Sequence, residues 1–273
     1  MIGLILGETQ FGYLIIKKLK SNKKNFIILD ISGKNIYKKY KNSYNLSLGQ
    51  LGKAISLLKK NKCKKIIFAG RVKKPNIKKI KFDVKALYYL PKIIKSIKKS
   101  DSSIIKLIID IFKKEGLKVL KSTYFNPELL LKKGSHTKMK PDSISKRDIL
   151  KAKSIITDLK RRKRNDIGQA VVVKNSHVIA IESSDGTDAM LSRAKILIKR
   201  FKFGKNRQGI LLKYPKPNQD LRVDLPTVGI NTIRRCSKIG LKGVVVKADQ
   251  NIFLDKQKCI KLANKKKMFI TAI

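Results

Sequence analysis

Acidic residues are scarce in this chain. In 273 residues, 18 Asp and Glu stand against 66 Lys and Arg, a formal charge of +48 at pH 7. A field of that sign attracts polyanions such as nucleic acid or an anionic membrane surface, and salt screens it. The excess is mostly lysine, spread along the whole length beside abundant Ile and Asn. AT-rich coding bias produces the same pattern, so charge alone names no partner. Histidine is rarer still: His136 and His177 are the only two, and neither stands in a metal-ligand spacing such as HExxH. Cys63, Cys236 and Cys259 are widely separated and form no CxxC pair, so neither a zinc knuckle nor a disulfide framework is indicated. A reducing cytosol fits that usage.

Long apolar runs are missing as well. None approaches the roughly 20 residues needed to span a bilayer, and the apolar start MIGLILGETQFG lacks a basic stretch before it. The expectation is a soluble or peripheral protein. No glycine fingerprint for a nucleotide is present either. Gly7 to Gly12 matches neither GxGxxG nor GxxxxGK[ST], and Glu8 would repel a phosphate, so a tight strand-to-helix turn is the better reading. Without the glycines, Asp30 carries little weight as a ribose-binding acid. A Rossmann-type nucleotide-binding oxidoreductase would also need a hydride-transfer histidine. A non-specific RNA-binding protein is favoured by charge alone, with no RNP-like, KH-like or interleaved aromatic motif. These two remain the alternative functions.

What is present is alternation. Apolar runs at 2–6, 26–30, 65–69 and 117–121 read as strands, and the segments 12–20, 49–60, 82–98 and 101–115 between them read as helices. Strands and helices in turn imply a parallel sheet covered on both faces. The fold class is therefore α/β, with a Rossmann-like N-terminal domain over 1–130. The pattern lapses over 126–142, the best candidate for a linker or a crossover between domains. A distinct α/β C-terminal domain, 131–273, follows. It reads as a basic helix at 145–164, a hairpin of 169–174 and 177–182 about Asn175-Ser176, and a helix at 188–200 capped by Thr187. After these come a strand at 209–213, a helix at 231–239, strands at 243–247 and 252–254, and a last helix and strand.

Two stretches carry chemistry. In KYPKPNQDLRVDLPTVG (213–229), Pro215, Pro217 and Pro226 deny the backbone a regular helix. Asp220 and Asp224 are four apart and face one direction in a helix or a strand, whereas Arg222 shares their side only in an extended segment. Carboxylates for a divalent cation, with Lys213, Lys216 and Arg222 nearby, are the ingredients for cleaving a phosphate ester or anhydride. Equally, the stretch reads as a rigid polar loop whose charges pair with one another. In ESSDGTDAM (182–190), a strand ends at Glu182, Gly186 supplies a turn and Thr187 opens a helix. Thr187 and the free N–H groups would bind a phosphate while Asp185 or Asp188 helps hold a metal; otherwise Asp188 only complements the helix dipole. Gln169, in DIGQAVVV (166–173), either offers an amide to a ligand or marks a strand entry. Acid-rich loops at strand ends are where such folds build their sites.

Taken with LLKYPKPNQDLRVDLPTVGINT (211–232), GLKGVVVKA (240–248), SLGQLGKAISLLKKNKCKKIIFAGRVKKP (47–75) and Lys81-Phe82-Asp83, these segments resemble one family over essentially the full chain. It is the UDP-2,3-diacylglucosamine pyrophosphatase family of lipid A biosynthesis, in the form unrelated to calcineurin-like metallophosphoesterases. The resemblance implies hydrolysis of UDP-2,3-diacylglucosamine to UMP and 2,3-diacylglucosamine 1-phosphate, with water attacking the phosphorus on the sugar side. It implies Mg²⁺ or another divalent cation such as Mn²⁺, and a cytoplasmic protein peripheral to the inner membrane. The partners implied are a UDP-linked diacylated glucosamine lipid and an anionic membrane surface, with no specific nucleic acid and a homo-oligomer left open. In site terms, Asp220 and Asp224 would be the core pair, one ligating the metal and the other orienting or deprotonating the water. Asp188 is the next ligand. Lys213, Lys216 and Arg222 would counter phosphate charge, and Gln169, Gln219 and Thr187, with Gly186, would line the substrate. The chain departs from the family at the Gly7 to Gly12 turn, usually richer in glycine and ending in Leu-Pro. It also has Asp185 where Glu is common and Ser100-Asp101-Ser102 where Gly-Asp-Asp is usual. None of these touches the KPxQDxRxDLP run.

Overall fold

Near-continuous apolar runs dictate the first sheet. In a computed structural model, which describes residues 1–72, 76, 79–161, 168–201, 207–216 and 219–273, the N-terminal segments form β1 (Ile2–Leu6), α1 (Gln10–Ser21), β2 (Phe26–Asp30), β3 (Ser43–Asn45), α2 (Leu51–Lys60), β4 (Lys65–Ala69), α3 (Val84–Lys99), α4 (Asp101–Lys114) and β5 (Lys118–Val119). The strands make a five-stranded parallel sheet of order β3-β2-β1-β4-β5. Every residue of β2 is buried, as a sheet covered on both faces requires. The Rossmann-like expectation is met. β3 escaped the sequence reading because Ser-Tyr-Asn at the sheet edge is only half-buried and carries no apolar run.

The turn from β1 into α1 is filled by protein. Tyr37, fully buried, donates its phenol to the carbonyl of Gly7 at 3.2 Å. A Cβ on Gly12 would stand 2.2 Å from that phenol oxygen, so glycine is there to admit the ring. Asp30 is fully buried and accepts from the backbone N–H groups of Ser32 (2.9 Å) and Tyr37 (3.1 Å). Its carboxylate builds the loop that carries Tyr37.

Glu128–Gln219 and Leu225–Ile273 form a second compact unit by their contacts, while Asp220–Asp224 groups with Met1–Pro127. The second unit contains β6 (Gly134–Ser135), α5 (Ser143–Arg161), β7 (Ala170–Lys174), β8 (His177–Ile181), α6 (Thr187–Arg200), β9 (Ile210–Lys213), β10 (Thr227–Val228), α7 (Ile230–Lys238), β11 (Gly243–Val246), β12 (Ile252–Phe253), α8 (Lys256–Lys265) and β13 (Phe269–Ala272). Its main sheet has six strands in the order β6-β13-β11-β9-β7-β8. β9, β11 and β13 run parallel, and β7 runs antiparallel to β9 and β8. Alternation along each strand splits the core. Leu211, Val244 and Val246 face α6, α7 and α8, while Leu212, Val245 and Val173 face Ile149, Ala152 and Ile156 of α5. β10 and β12 pair separately.

The β7–β8 turn at Asn175-Ser176 places both residues at positive φ, 51° and 64°, the combination a two-residue hairpin of this hand requires. Asp148 of α5 accepts from both of their N–H groups. The stretch 126–142, expected to be a linker or a crossover between domains, holds the break between the two units at Pro127/Glu128 and also contributes β6 to the sheet edge, with Ser135 opposite Thr271. A two-residue Gly-Ser strand has no hydrophobic period to announce it. Among the described residues no helix is long and apolar enough to cross a membrane.

Replacing Gly12 by Ala should cost about 1–3 kcal/mol by overpacking against Tyr37, although Ala ordinarily favours a helix interior. Tyr37→Phe in the same chain should restore part of that loss in a denaturant double-mutant cycle. Strictly additive losses would mean that the phenol does not fill the turn.

Candidate active site

A lysine ends β9, a fully buried strand of the second unit. β9 is buried at all four positions and Lys213 is only 6% exposed, so its ammonium must be hydrogen-bonded to be tolerated there. It donates to the Thr187 hydroxyl and to the carbonyl of Thr227, each at 2.9 Å. The Thr187 hydroxyl in turn donates to Glu182 Oε1 at 2.9 Å, and Glu182 Oε2 accepts from the Gln169 N–H at 2.9 Å. Gln219 Nε2 lies 3.4 Å from Gln169 Oε1, and Gln219 Oε1 accepts from the Lys216 N–H. Fully buried Asn251 donates to the carbonyl of Lys213 and accepts from the N–H of Lys247.

Sheet topology explains this convergence. Because β7 is antiparallel to β9, Ala170 lies opposite Lys213, and the entry to β7 meets the exit of β9. β8 pairs with the other side of β7, Ile181 opposite Val171, so Glu182 leaves the sheet at the same end. Gly186, at φ 86°, then makes the sharp turn into α6. Gly168 is required for a different reason: a Cβ there would stand 2.3 Å from Glu182 Cγ. Only a glycine lets Glu182 lie against that backbone.

One expectation is corrected here. Gly186, not Thr187, is the N-cap residue of α6, and Thr187 is the first helical residue. Its hydroxyl is engaged between Lys213 and Glu182 and does not cap the helix. Burial pushes Lys213 below the usual lysine range, and the charges of Glu182 and Asp188 oppose that shift. Asp188 itself is largely exposed, with Arg235 Nε 3.3 Å away. Asp185 is tied to the Ser183 hydroxyl and to Arg193; the Ser183 hydrogen bond is the main reason its carboxyl sits below the usual range.

The other predicted acids belong to the first unit. Val223 packs against the N-terminal core, and the carbonyl of Arg222 accepts from the N–H of Ser122. The N–H of Asp224 donates to the carbonyl of Asp220 at 2.9 Å, which closes one helical turn. Residues four apart in such a turn are neighbours on one side. Arg222 was expected to share that side only in an extended segment, but its guanidinium folds back. Nε lies 3.0 Å from Asp220 Oδ1 and Nη2 lies 2.7 Å from Oδ2, a two-pronged pair. That hydrogen bonding holds the Asp220 carboxyl below the usual carboxylate range. Pro217, and the Asp166-Ile167 start of the DIGQAVVV segment, lie outside the described residues.

Among the described residues no three His, Cys, Asp or Glu side chains gather as a metal-holding group. A dedicated all-protein cage is therefore not the mode these residues fit. Mg²⁺ is usually held by one or two carboxylates together with waters and substrate phosphates, and Asp220 and Asp224 supply oxygen donors of that class. Glu182, Thr227 and Asn251 were not singled out in the sequence as site residues. Glu182 had one visible signal, an acid closing an apolar strand; the other two show none.

Residues 1–129 match the family model described as the LpxI N-terminal domain, and residues 132–271 match the LpxI C-terminal domain. A curated protein of Caulobacter vibrioides, UDP-2,3-diacylglucosamine pyrophosphatase LpxI, is 33% identical over 230 residues, which cover 84% of this chain and 81% of that protein.

The Asp220–Arg222 pair has a pH signature. Since the Asp220 pKa is depressed on folding, its stabilisation is present above the ordinary carboxylate range and is lost as pH falls through the depressed value. Asp220→Asn should cost about 1 kcal/mol near neutrality, given a half-exposed guanidinium. In urea unfolding the gap to wild type should close on acidification. A gap independent of pH would assign the loss to something other than the ion pair.

Proposed function

Because the chain belongs to the LpxI family through both of its domains, we propose that it hydrolyses the diphosphate of UDP-2,3-diacylglucosamine, giving UMP and 2,3-diacylglucosamine 1-phosphate, in lipid A biosynthesis. The observation that carries this reading is the buried, hydrogen-bonded ammonium of Lys213 beside the start of α6. A diphosphate diester resists nucleophiles because its own oxygens are anionic. A fixed cation in a desolvated setting offsets that charge without reorganising when the reaction occurs. Lys213 supplies the cation, and the first N–H groups of α6 add a favourable dipole. At Gly186 a Cβ would meet nothing within 4 Å. Gln169 and Gln219 offer amides, and Lys216 and Arg222 add positive charge.

Asp220 and Asp224 are proposed to hold Mg²⁺ or Mn²⁺ and to orient the attacking water, with Asp188 as a further ligand. When bound, such a cation neutralises diphosphate charge and lowers the pKa of the water. Asp220 is suited to this work because Arg222 keeps it ionised. Attack is proposed at the phosphorus on the sugar side, which leaves UMP unlabelled by solvent oxygen.

Hydrolysis in ¹⁸O-labelled water, with Mg²⁺ and with EDTA, tests the reaction. The expected result is metal-dependent UMP release with the label on the lipid phosphate. Label on UMP would move the point of attack, and no cleavage would sink the assignment. Asp220→Ala and Asp224→Ala should each abolish turnover in a folded protein, and near-wild-type rates in both would remove these residues from the site.

Peripheral attachment to an anionic membrane surface is proposed through α3. Only Ala86 of this helix is buried. Val84 is 85%, Tyr88 75% and Leu87 52% exposed, a cluster at i, i+3 and i+4 on one side of the first turns. Lys92, Lys95, Lys98 and Lys99 follow, and the helix contains no acid. Exposed apolar residues followed along the helix by lysines suit the interface of an anionic bilayer. The protein should sediment with anionic vesicles and not with neutral ones, and Val84→Asp with Tyr88→Asp should release it while leaving turnover of detergent-dispersed substrate intact. Sedimentation unchanged by these substitutions would reject the α3 surface.

A further inference from the structure

Lys213 is held at a distance from the acid that compensates it. Glu182 is 7% exposed, yet its carboxylate reaches the ammonium only through the Thr187 hydroxyl, with 2.9 Å on either side. A hydroxyl has one proton. Here it goes to Glu182, so the lone pairs of Thr187 face Lys213 and the chain ammonium–hydroxyl–carboxylate is polarised in one sense. Two of the three ammonium N–H groups are taken, by Thr187 and by the Thr227 carbonyl. The third has no partner among the described residues. Glu182 is itself fixed by the N–H of Gln169 and by the close approach that Gly168 permits.

A direct Glu182–Lys213 salt bridge would have satisfied the buried charge at the expense of a donor. A relay through Thr187 leaves that donor available while still balancing the charge. Resting on the diphosphate reading above, we propose that Glu182 is a positioning residue which, through Thr187, holds Lys213 charged and directs its remaining N–H to an oxygen of the substrate diphosphate. Glu182 would touch neither substrate nor reacting atoms.

The test uses UDP as the probe, titrated at high ionic strength, where non-specific attraction to the lysine-rich surface is screened. Glu182→Gln keeps the shape and removes the charge; Thr187→Val keeps the charge and breaks the relay. Each should weaken UDP binding by about tenfold or more, the scale of a lost charge-assisted hydrogen bond. The double variant should bind little worse than either, since both remove the same device. A melting temperature close to wild type in at least one variant separates this from unfolding.

The pH dependence of UDP affinity provides a readout that a purely structural role would not move. The titratable groups acting on Lys213 are Glu182, Asp188 of α6 and Cys236 of α7. Removing the Glu182 charge leaves burial less opposed, so Lys213 should lose its proton at lower pH. The alkaline loss of UDP affinity should therefore move to lower pH in Glu182→Gln. Unchanged affinity and an unmoved alkaline limb in the folded variants would overturn the proposal even if the wild type hydrolyses the lipid. Failure of the wild type to bind UDP would overturn it as well. Glu182-dependent UDP binding without hydrolysis would support the relay and reject the lipid substrate.

Discussion

Burial of the Lys213 ammonium is the constraint around which the second unit is arranged. A cation that is 6% exposed is tolerated where hydrogen bonds and a compensating charge answer it. Each answer comes from a different element: Thr187 from the start of α6, Thr227 from β10 and Glu182 from the end of β8. These elements meet because β7 turns antiparallel to β9 and carries β8 with it to the same end of the sheet. Two glycines make the convergence possible. Gly186 turns the chain into α6, and Gly168 gives Glu182 room.

The first unit solves a related problem with an opposite result. At the end of β1, where a parallel α/β sheet commonly opens toward a ligand, Tyr37 occupies the turn and Asp30 is consumed by two backbone N–H groups. The Gly7 carbonyl and the Asp30 carboxylate are thus satisfied internally. The same unit carries the Asp220–Asp224 turn through the docking of Val223 on its core. The carboxylates of the KPxQDxRxDLP run and the Lys213 ammonium that precedes the run are therefore supported by different hydrophobic cores.

Charge remains the most visible property of the chain and the least informative. An excess of lysine spread over every segment raises attraction to any polyanion. The cations that stand out from that background are those whose geometry is fixed: Lys213 by burial, and Arg222 by its two-pronged hold on Asp220. In α3 the distinguishing feature is the exposed apolar cluster Val84, Leu87 and Tyr88, with lysines following it along the helix.

The sequence by itself determined the layered α/β plan, because buried parallel strands must be continuous apolar runs and the helices between them must show one apolar face. Asn175-Ser176 was legible as a hairpin for a local reason, since that turn needs residues that accept positive φ. Gln169, Thr187, Lys213 and Gln219 lie in the segments singled out in the sequence, and hydrogen bonds connect them in the structure. Only tertiary structure decided how they connect. Glu182 is 31 residues from Lys213 in the chain, and nothing in the local pattern of either reports the hydroxyl that joins them. Tertiary structure likewise decided that Gly186 and not Thr187 caps α6, that β6 completes a sheet edge, and that Asp220 to Asp224 packs with the N-terminal core. Each depends on partners far away in sequence, which periodicity and turn chemistry cannot register.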